Sequence, residues 1–103
     1  MGTRAVINIE GLEFASIYKH YDGYPEATLK FLMNFNRNFS DKRGSDPSYK
    51  FAQLLRETIR SGQKYELDMS EFTGWGVIEP GVDVGQEFEY DLLDNGNVEV
   101  KEY

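Results

Sequence analysis

Residues 87–103 read Glu-Phe-Glu-Tyr-Asp-Leu-Leu-Asp-Asn-Gly-Asn-Val-Glu-Val-Lys-Glu-Tyr. Acidic and apolar side chains alternate, with Glu87, Glu89 and Asp91 on one side and Phe88, Tyr90 and Leu92 on the other. A period of two belongs to a strand with one face in a core and one in water. Asn95-Gly96 between two such runs predicts a hairpin, because both residues tolerate the positive φ of a primed turn. The stretch therefore predicts two paired antiparallel strands with an acidic exposed face.

Working back from this hairpin, residues 74–79 (GWGVIE) predict a further strand that ends at Pro80-Gly81, and residues 64–69 predict a less regular extended stretch. Thr73-Gly-Trp75-Gly76 sets an aromatic between glycines, which fits a core tryptophan on a bulged strand better than an exposed stacking residue. The period then changes. Over residues 26–39 (EATLKFLMNFNRNF), Thr28, Phe31, Leu32, Phe35 and Phe39 recur at helical spacing. Pro25 suits the first helical position and Glu26 the positive end of the dipole. Residues 40–48 (SDKRGSDPS) lack periodicity and predict a loop. Asp46 or Ser45 can cap a second helix whose buried face is Phe51, Leu54, Leu55, Thr58 and Ile59, ending at Gly62.

At the start of the chain, residues 4–10 (RAVINIE) and 12–20 (LEFASIYKH) predict a hairpin around Gly11. Either Phe14, Ser16, Tyr18 and His20 or Ala15, Ile17 and Lys19 can face the core. A turn centred on Gly11 sets Arg4 near Tyr18. The order is β-β-α-α-β-β-β: a single α+β domain over residues 1–103, with a mainly antiparallel sheet and two helices packed on one face.

Composition narrows the function classes. The 103 residues contain no cysteine, which removes disulfide frameworks, thiolate zinc sites and cysteine nucleophiles. No stretch approaches the run of about 18 apolar residues that a membrane span needs. A soluble, cytoplasmic protein without membrane partners is the expectation. The net charge of −7 is unevenly placed. Residues 1–64 hold ten Lys/Arg against seven Asp/Glu, whereas residues 65–103 hold one against eleven. That balance argues against direct nucleic-acid binding, which calls for a basic stripe; the acidic end reads first as sheet faces kept soluble by acids, with a basic protein partner as the alternative. Basic residues around the helices (Arg37, Lys42, Arg43, Lys50, Arg56, Arg60) alternate with acids and read as a solvated helical face.

The densest group of functional side chains is Tyr18-Lys-His20-Tyr-Asp22-Gly23-Tyr24-Pro25-Glu26, at a strand-to-helix junction. Such a junction aims strand-end side chains toward helix N-terminal amides, which attract anions. His20 and Asp22 are two apart and share a face of a regular strand, so Asp22 can orient the imidazole, which supplies half of an acid–base constellation. No serine motif accompanies the pair, His20 is the sole histidine, and no ligand set specifies a metal or other cofactor. Asp22-Gly23 reads first as turn chemistry.

These residues also carry a resemblance. Gly2-Thr3-Arg4 before a short strand, Tyr18-x-His20-x-Asp22-Gly23-Tyr24-Pro25, and the closing Gly-Gln-Glu-Phe-Glu-Tyr of residues 85–90 resemble a group of small prokaryotic and phage proteins. That group begins with Gly-Thr-Arg and carries an aromatic-Asp-Gly-Tyr-Pro sequence. The resemblance implies a shared fold and a viral or mobile-element origin. It implies no particular reaction, and glutamine also stands in that group where His20 stands here, which argues against obligatory proton transfer by His20. It nominates Thr3, Arg4, Tyr18, His20, Asp22, Gly23, Tyr24 and Pro25 as a unit.

Three functional readings follow. The first is a binding module that holds a partner through the junction around His20 or through Glu87, Glu89 and Asp91. The second is a small enzyme or sensor for a nucleotide-like anion, using Arg4, His20, Asp22 and the amides of residues 25–27. The third is homodimerisation along residues 98–103, where Lys101 also serves as a guard against edge pairing.

Overall fold

The computed structural model describes residues 3–43, 45–63 and 74–103. The elements are β1 (Ala5–Ile9), β2 (Ser16–Lys19), α1 (Pro25–Arg43), α2 (Pro47–Gln63), β3 (Trp75–Ile78), β4 (Phe88–Leu92) and β5 (Val98–Glu102). The predicted order and class hold. The extended stretch expected at residues 64–69 lies outside the described residues.

One five-stranded sheet has the order β3-β2-β1-β4-β5. Three of its four pairings are antiparallel, and the central one, β1 with β4, is parallel. Ala5, Ile7 and Ile9 point to the helices with Ile17, Tyr90 and Leu92, and meet Leu32 of α1 and Leu54 of α2 in the core. Of the two faces open to β2, Ala15 and Ile17 take the core. Lys19 lies on the same side, its Nζ 4.1 Å from the centre of the half-buried Trp75 ring. The register pairs Val6, not Arg4, with Tyr18, so continuing it by one step sets Arg4 across from His20. The shift arises because the β1–β2 connection spans residues 10–15 instead of a tight turn at Gly11.

The helices differ from expectation at their junction. Ser40-Asp41-Lys42-Arg43 contains no helix breaker, and Lys42 and Arg43 complement the negative end of the dipole, so α1 continues four residues past Phe39. Asp46 caps α2, with its Oδ1 accepting from the Tyr49 amide at 3.3 Å, and Pro47 takes the first helical position. The loop foreseen over residues 40–48 is reduced to the few residues between Arg43 and Pro47. On α1 the buried positions are Thr28, Leu32, Asn36 and Phe39, while Phe31 and Phe35 are half-buried.

The last hairpin forms as predicted, with a different turn. The Leu93 amide donates to the Asn97 carbonyl at 2.9 Å and the Gly96 amide to Leu93 at 3.1 Å, enclosing three loop residues. Gly96 has φ +94°, and Asn95 is not in the left-handed region. This is a type I turn closed by a glycine bulge, which needs one positive φ where a primed turn needs two.

Tyr90 is fully buried, and its hydroxyl donates to the Gly23 carbonyl at 2.6 Å. Burial pushes its phenol from the ordinary 10 up to about 12. Between those values the unfolded chain has released the proton that the folded protein still holds, so this group's stabilisation is complete below pH 10 and is lost as pH rises toward 12. Lys19 and Lys50 are held below the usual lysine range by burial and act in the opposite direction as pH approaches 10.5. Comparison of wild type with Tyr90→Phe isolates the tyrosine, because both chains keep both lysines. The stability gap between them, measured by urea unfolding from pH 9 to 11.5, is expected to shrink with rising pH. A constant gap would refute the assignment.

Candidate functional site

The face of the sheet turned away from the helices is built from the even-numbered residues of β1 and their neighbours. Val6 lies between Tyr18 and Glu89, and Asn8 lies beside Asp91. β3 sits at one edge while β4 lies beyond β1, so the chain must cross the sheet between them, and residues 80–83 and 86 lie over this face beside Val6 and Asn8. That strap covers Val6, which is only 3% exposed although it points away from the helices. A groove of about 690 Å³ opens between strap and sheet, lined by Val6, Asn8, Glu10, Leu12, Val82, Asp83, Glu89, Asp91 and Tyr103 among others.

Asn8 organises the groove floor. Its Nδ2 donates to Glu89 Oε2 at 2.9 Å and to Asp91 Oδ1 at 3.0 Å, and its Oδ1 accepts from the Ser16 hydroxyl at 2.6 Å. The Tyr103 hydroxyl donates to Glu89 Oε1 at 2.6 Å, a bond that holds the phenol above its usual range, and Gln86 Nε2 reaches the same oxygen at 3.4 Å. Glu10 and Asp83 complete the charge, spending one oxygen each on the amides of Asp94 and Gly85. Four carboxylates thus line one concavity, and the described lining residues include no lysine or arginine. The donors that fix Glu89 and Asp91 are neutral, so they orient these acids without neutralising them. No group of three or more potential metal ligands occurs among the described residues. What this arrangement can receive is an ammonium or guanidinium group.

Of the acidic trio expected on the exposed face, Glu89 and Asp91 are half-buried and form the groove floor, while Glu87 is exposed and absent from the lining. The junction residues separate into two groups. Arg4, Tyr18 and His20 share the open face. Arg4 Nη1 donates to the Val84 carbonyl at 3.1 Å, which ties down the strap, and its own carbonyl accepts from the Glu87 amide at 2.9 Å. His20 Nδ1 is 2.6 Å from the Tyr18 hydroxyl, so tyrosine is the ring's neighbour in place of the expected Asp22. Thr3, Asp22, Gly23 and Tyr24 instead build the corner between sheet and α1. The Gly23 amide donates to Thr3 at 2.8 Å, and the Asp22 carbonyl accepts from the Thr28 hydroxyl at 2.8 Å with Asp22 at φ +57°. The amides of Ala27 and Thr28 both point to the Tyr24 carbonyl, at 3.1 and 3.2 Å.

Asn8, Glu10, Asp83 and Tyr103 were not singled out in the sequence. Asn8 did leave a signal, since asparagine is depleted in strands and here interrupts a β-branched run. Comparison with protein-family models, with curated proteins and with solved structures finds no match to this chain.

Proposed function

We propose that this chain is a binding module that captures a basic segment of a protein partner in the acidic groove under the strap. The observation that carries this reading is the set of Glu10, Asp83, Glu89 and Asp91 around one concavity whose described lining holds no cation. The net charge of −7 adds long-range attraction for a basic partner and speeds encounter. Val82 and Tyr103, both exposed, supply apolar and aromatic surface for the aliphatic stem of a lysine or arginine. The nucleotide-like alternative at the junction has less support, because the Ala27 and Thr28 amides and the Arg4 guanidinium already have carbonyl partners.

The test is a fluorescence-anisotropy titration with a labelled peptide of alternating arginine and alanine. Binding is expected to weaken steeply as salt rises from 50 to 300 mM. Glu89→Gln with Asp91→Asn should raise Kd about tenfold, the equivalent of about 1.4 kcal/mol. His20→Ala should leave Kd unchanged. Salt-independent binding, or equal affinity in the double variant, would sink the proposal.

A further inference from the structure

β5 forms one edge of the sheet, and among the described residues no strand lies beyond it. The Leu93 amide donates to the Asn97 carbonyl and the Tyr103 amide to the Glu87 carbonyl, both at 2.9 Å, so the Asn97 carbonyl and the Tyr103 amide turn inward to β4. Backbone groups alternate along an antiparallel ladder. Glu99 and Lys101 therefore also turn theirs inward, while Val98, Val100 and Glu102 each direct an N–H and a C=O out of the sheet edge. Side chains alternate between the two faces. Val98, Val100 and Glu102 stand on the helix side across from Leu92, Tyr90 and Phe88, and Glu99 and Lys101 stand on the open face across from Asp91 and Glu89.

Neither charge on the open face of β5 has an ion-pair partner among the described residues. Lys101 Nζ lies 4.8 Å from the centre of the exposed Tyr103 ring, and both oxygens of its cross-strand neighbour Glu89 accept from the neutral donors Asn8 and Tyr103. Glu99 is worse placed, because its cross-strand neighbour Asp91 carries the same charge. On the other face Val100 is 39% exposed.

We infer that β5 of one copy pairs antiparallel with β5 of a second copy about a two-fold axis through Val100, joining two sheets into one. This register matches outward N–H and C=O groups at Val100 with Val100 and at Val98 with Glu102. It sets Glu99 of each copy across from Lys101 of the other, at the non-hydrogen-bonded positions where side chains come closest. The two Val100 side chains meet on the helix side and cover surface that is open to water in one chain. Moving the axis one residue either way sets Glu99 or Lys101 against its own counterpart, so the charges select one register from its neighbours. An edge lysine guards against pairing with other strands, and in this register the guard meets an acid. The net charge of −7 opposes association, but at 0.15 M salt the screening length is about 8 Å, so charges in contact outweigh distant ones. One strand from each copy makes a small contact, so association is weak and concentration-dependent. None of the residues Val98–Glu102 lines the acidic groove, so strand pairing and peptide capture stand or fall separately.

Sedimentation equilibrium of the whole chain at 0.15 M salt, up to about 1 mM where weak contacts register, should show the average mass rising from the 11.9 kDa of one chain toward twice that value. Glu99→Lys gives each edge two lysines, and Lys101→Glu gives each edge two carboxylates. Each alone should weaken association about tenfold, because both matched pairs become like-charge pairs. Glu99→Lys also lowers the net negative charge, so a general charge effect would strengthen association instead. An equal mixture of these two variants should form a 1:1 dimer, since every lysine then faces a carboxylate. Val100→Pro removes an N–H directed out of the sheet and blocks the edge, so it should hold the protein at 11.9 kDa. Circular dichroism checks that all three variants fold. A wild-type chain that stays at 11.9 kDa overturns the inference. So does association as strong as wild type in any single variant, or a mixture that fails to pair.

Discussion

Replacing Gly23 by alanine is expected to destabilise the fold by about 3 kcal/mol, the upper part of the range for overpacking a tight site. A Cβ at Gly23 would stand 2.6 Å from Ala5 Cβ and 2.8 Å from the Thr3 carbonyl oxygen. Neither neighbour can yield cheaply. Ala5 is fully buried on the central strand, paired with Lys19 on one side and Phe88 on the other, and the Thr3 carbonyl is the acceptor of the Gly23 amide. Moving the corner outward also stretches the bond from the Tyr90 hydroxyl to the Gly23 carbonyl, which leaves a buried phenol without its partner. For a domain of this size the melting temperature should fall by about 15 °C. Ala5→Gly supplies the control. It removes the atom that the new methyl meets, so the two substitutions together should cost less than their sum. Strict additivity, or a Gly23→Ala chain as stable as wild type, would show that the corner is not close-packed.

This placement changes how the Asp22-Gly23-Tyr24-Pro25 run is understood. Its residues look like a site in sequence because polar groups, a glycine and a helix start are concentrated there. In the structure they make the joint that fastens α1 to the sheet: Gly23 for proximity, the Asp22 carbonyl for Thr28, and Pro25 for the helix start. A glycine required for close approach and one required for ligand access have the same sequence signature.

The order of elements was legible because each carries its own period: alternation in residues 87–93, helical spacing in residues 26–39, and Asp46-Pro47 ahead of α2. The parallel pairing of β1 with β4 was not legible, since no local pattern states which strands meet after a long connection. The groove was hidden for the same reason. Asn8, Glu10, Asp83 and Glu89 lie in three separate stretches of the chain, and only the strap's crossing brings them together. The acidic alternation of Glu87, Glu89 and Asp91 correctly named a face, but it could not distinguish an acid under the strap from one in open solvent. For Glu87 and Glu89 that difference comes from two residues of position along one strand.

The second large effect is expected at Asn36, a fully buried amide on the face of α1 that the apolar stripe left unexplained. Its Nδ2 donates to the carbonyls of Leu93 and Asn97, at 2.9 and 2.8 Å, and fixes the last turn to the helix. Its Oδ1 accepts from Lys50 Nζ at 2.7 Å. Lys50 is itself fully buried, has further contacts to the Leu93 carbonyl at 3.4 Å and over the Phe39 ring at 5.4 Å, and makes no ion pair among the described residues. Asn36→Leu keeps the number and branching of the side-chain heavy atoms and removes every bond that Asn36 makes, leaving a buried ammonium poorly served. The expected loss is about 4 kcal/mol, as for breaking a buried charged pair from one side. Lys50→Met in the same chain should return part of that loss, because methionine fills similar space without a charge to solvate. It should not return all of it, because the Leu93 and Asn97 carbonyls keep only their turn partners, the Gly96 and Leu93 amides, and the turn loses its bonds to the helix. Urea unfolding of the wild type, both single variants and the double variant yields the coupling directly. Asn36→Leu and the double variant being equally unstable would mean that Lys50 reaches water once Asn36 is gone. Recovery on removing the charge is the signature of a buried lysine whose shortest hydrogen bond is to this amide oxygen.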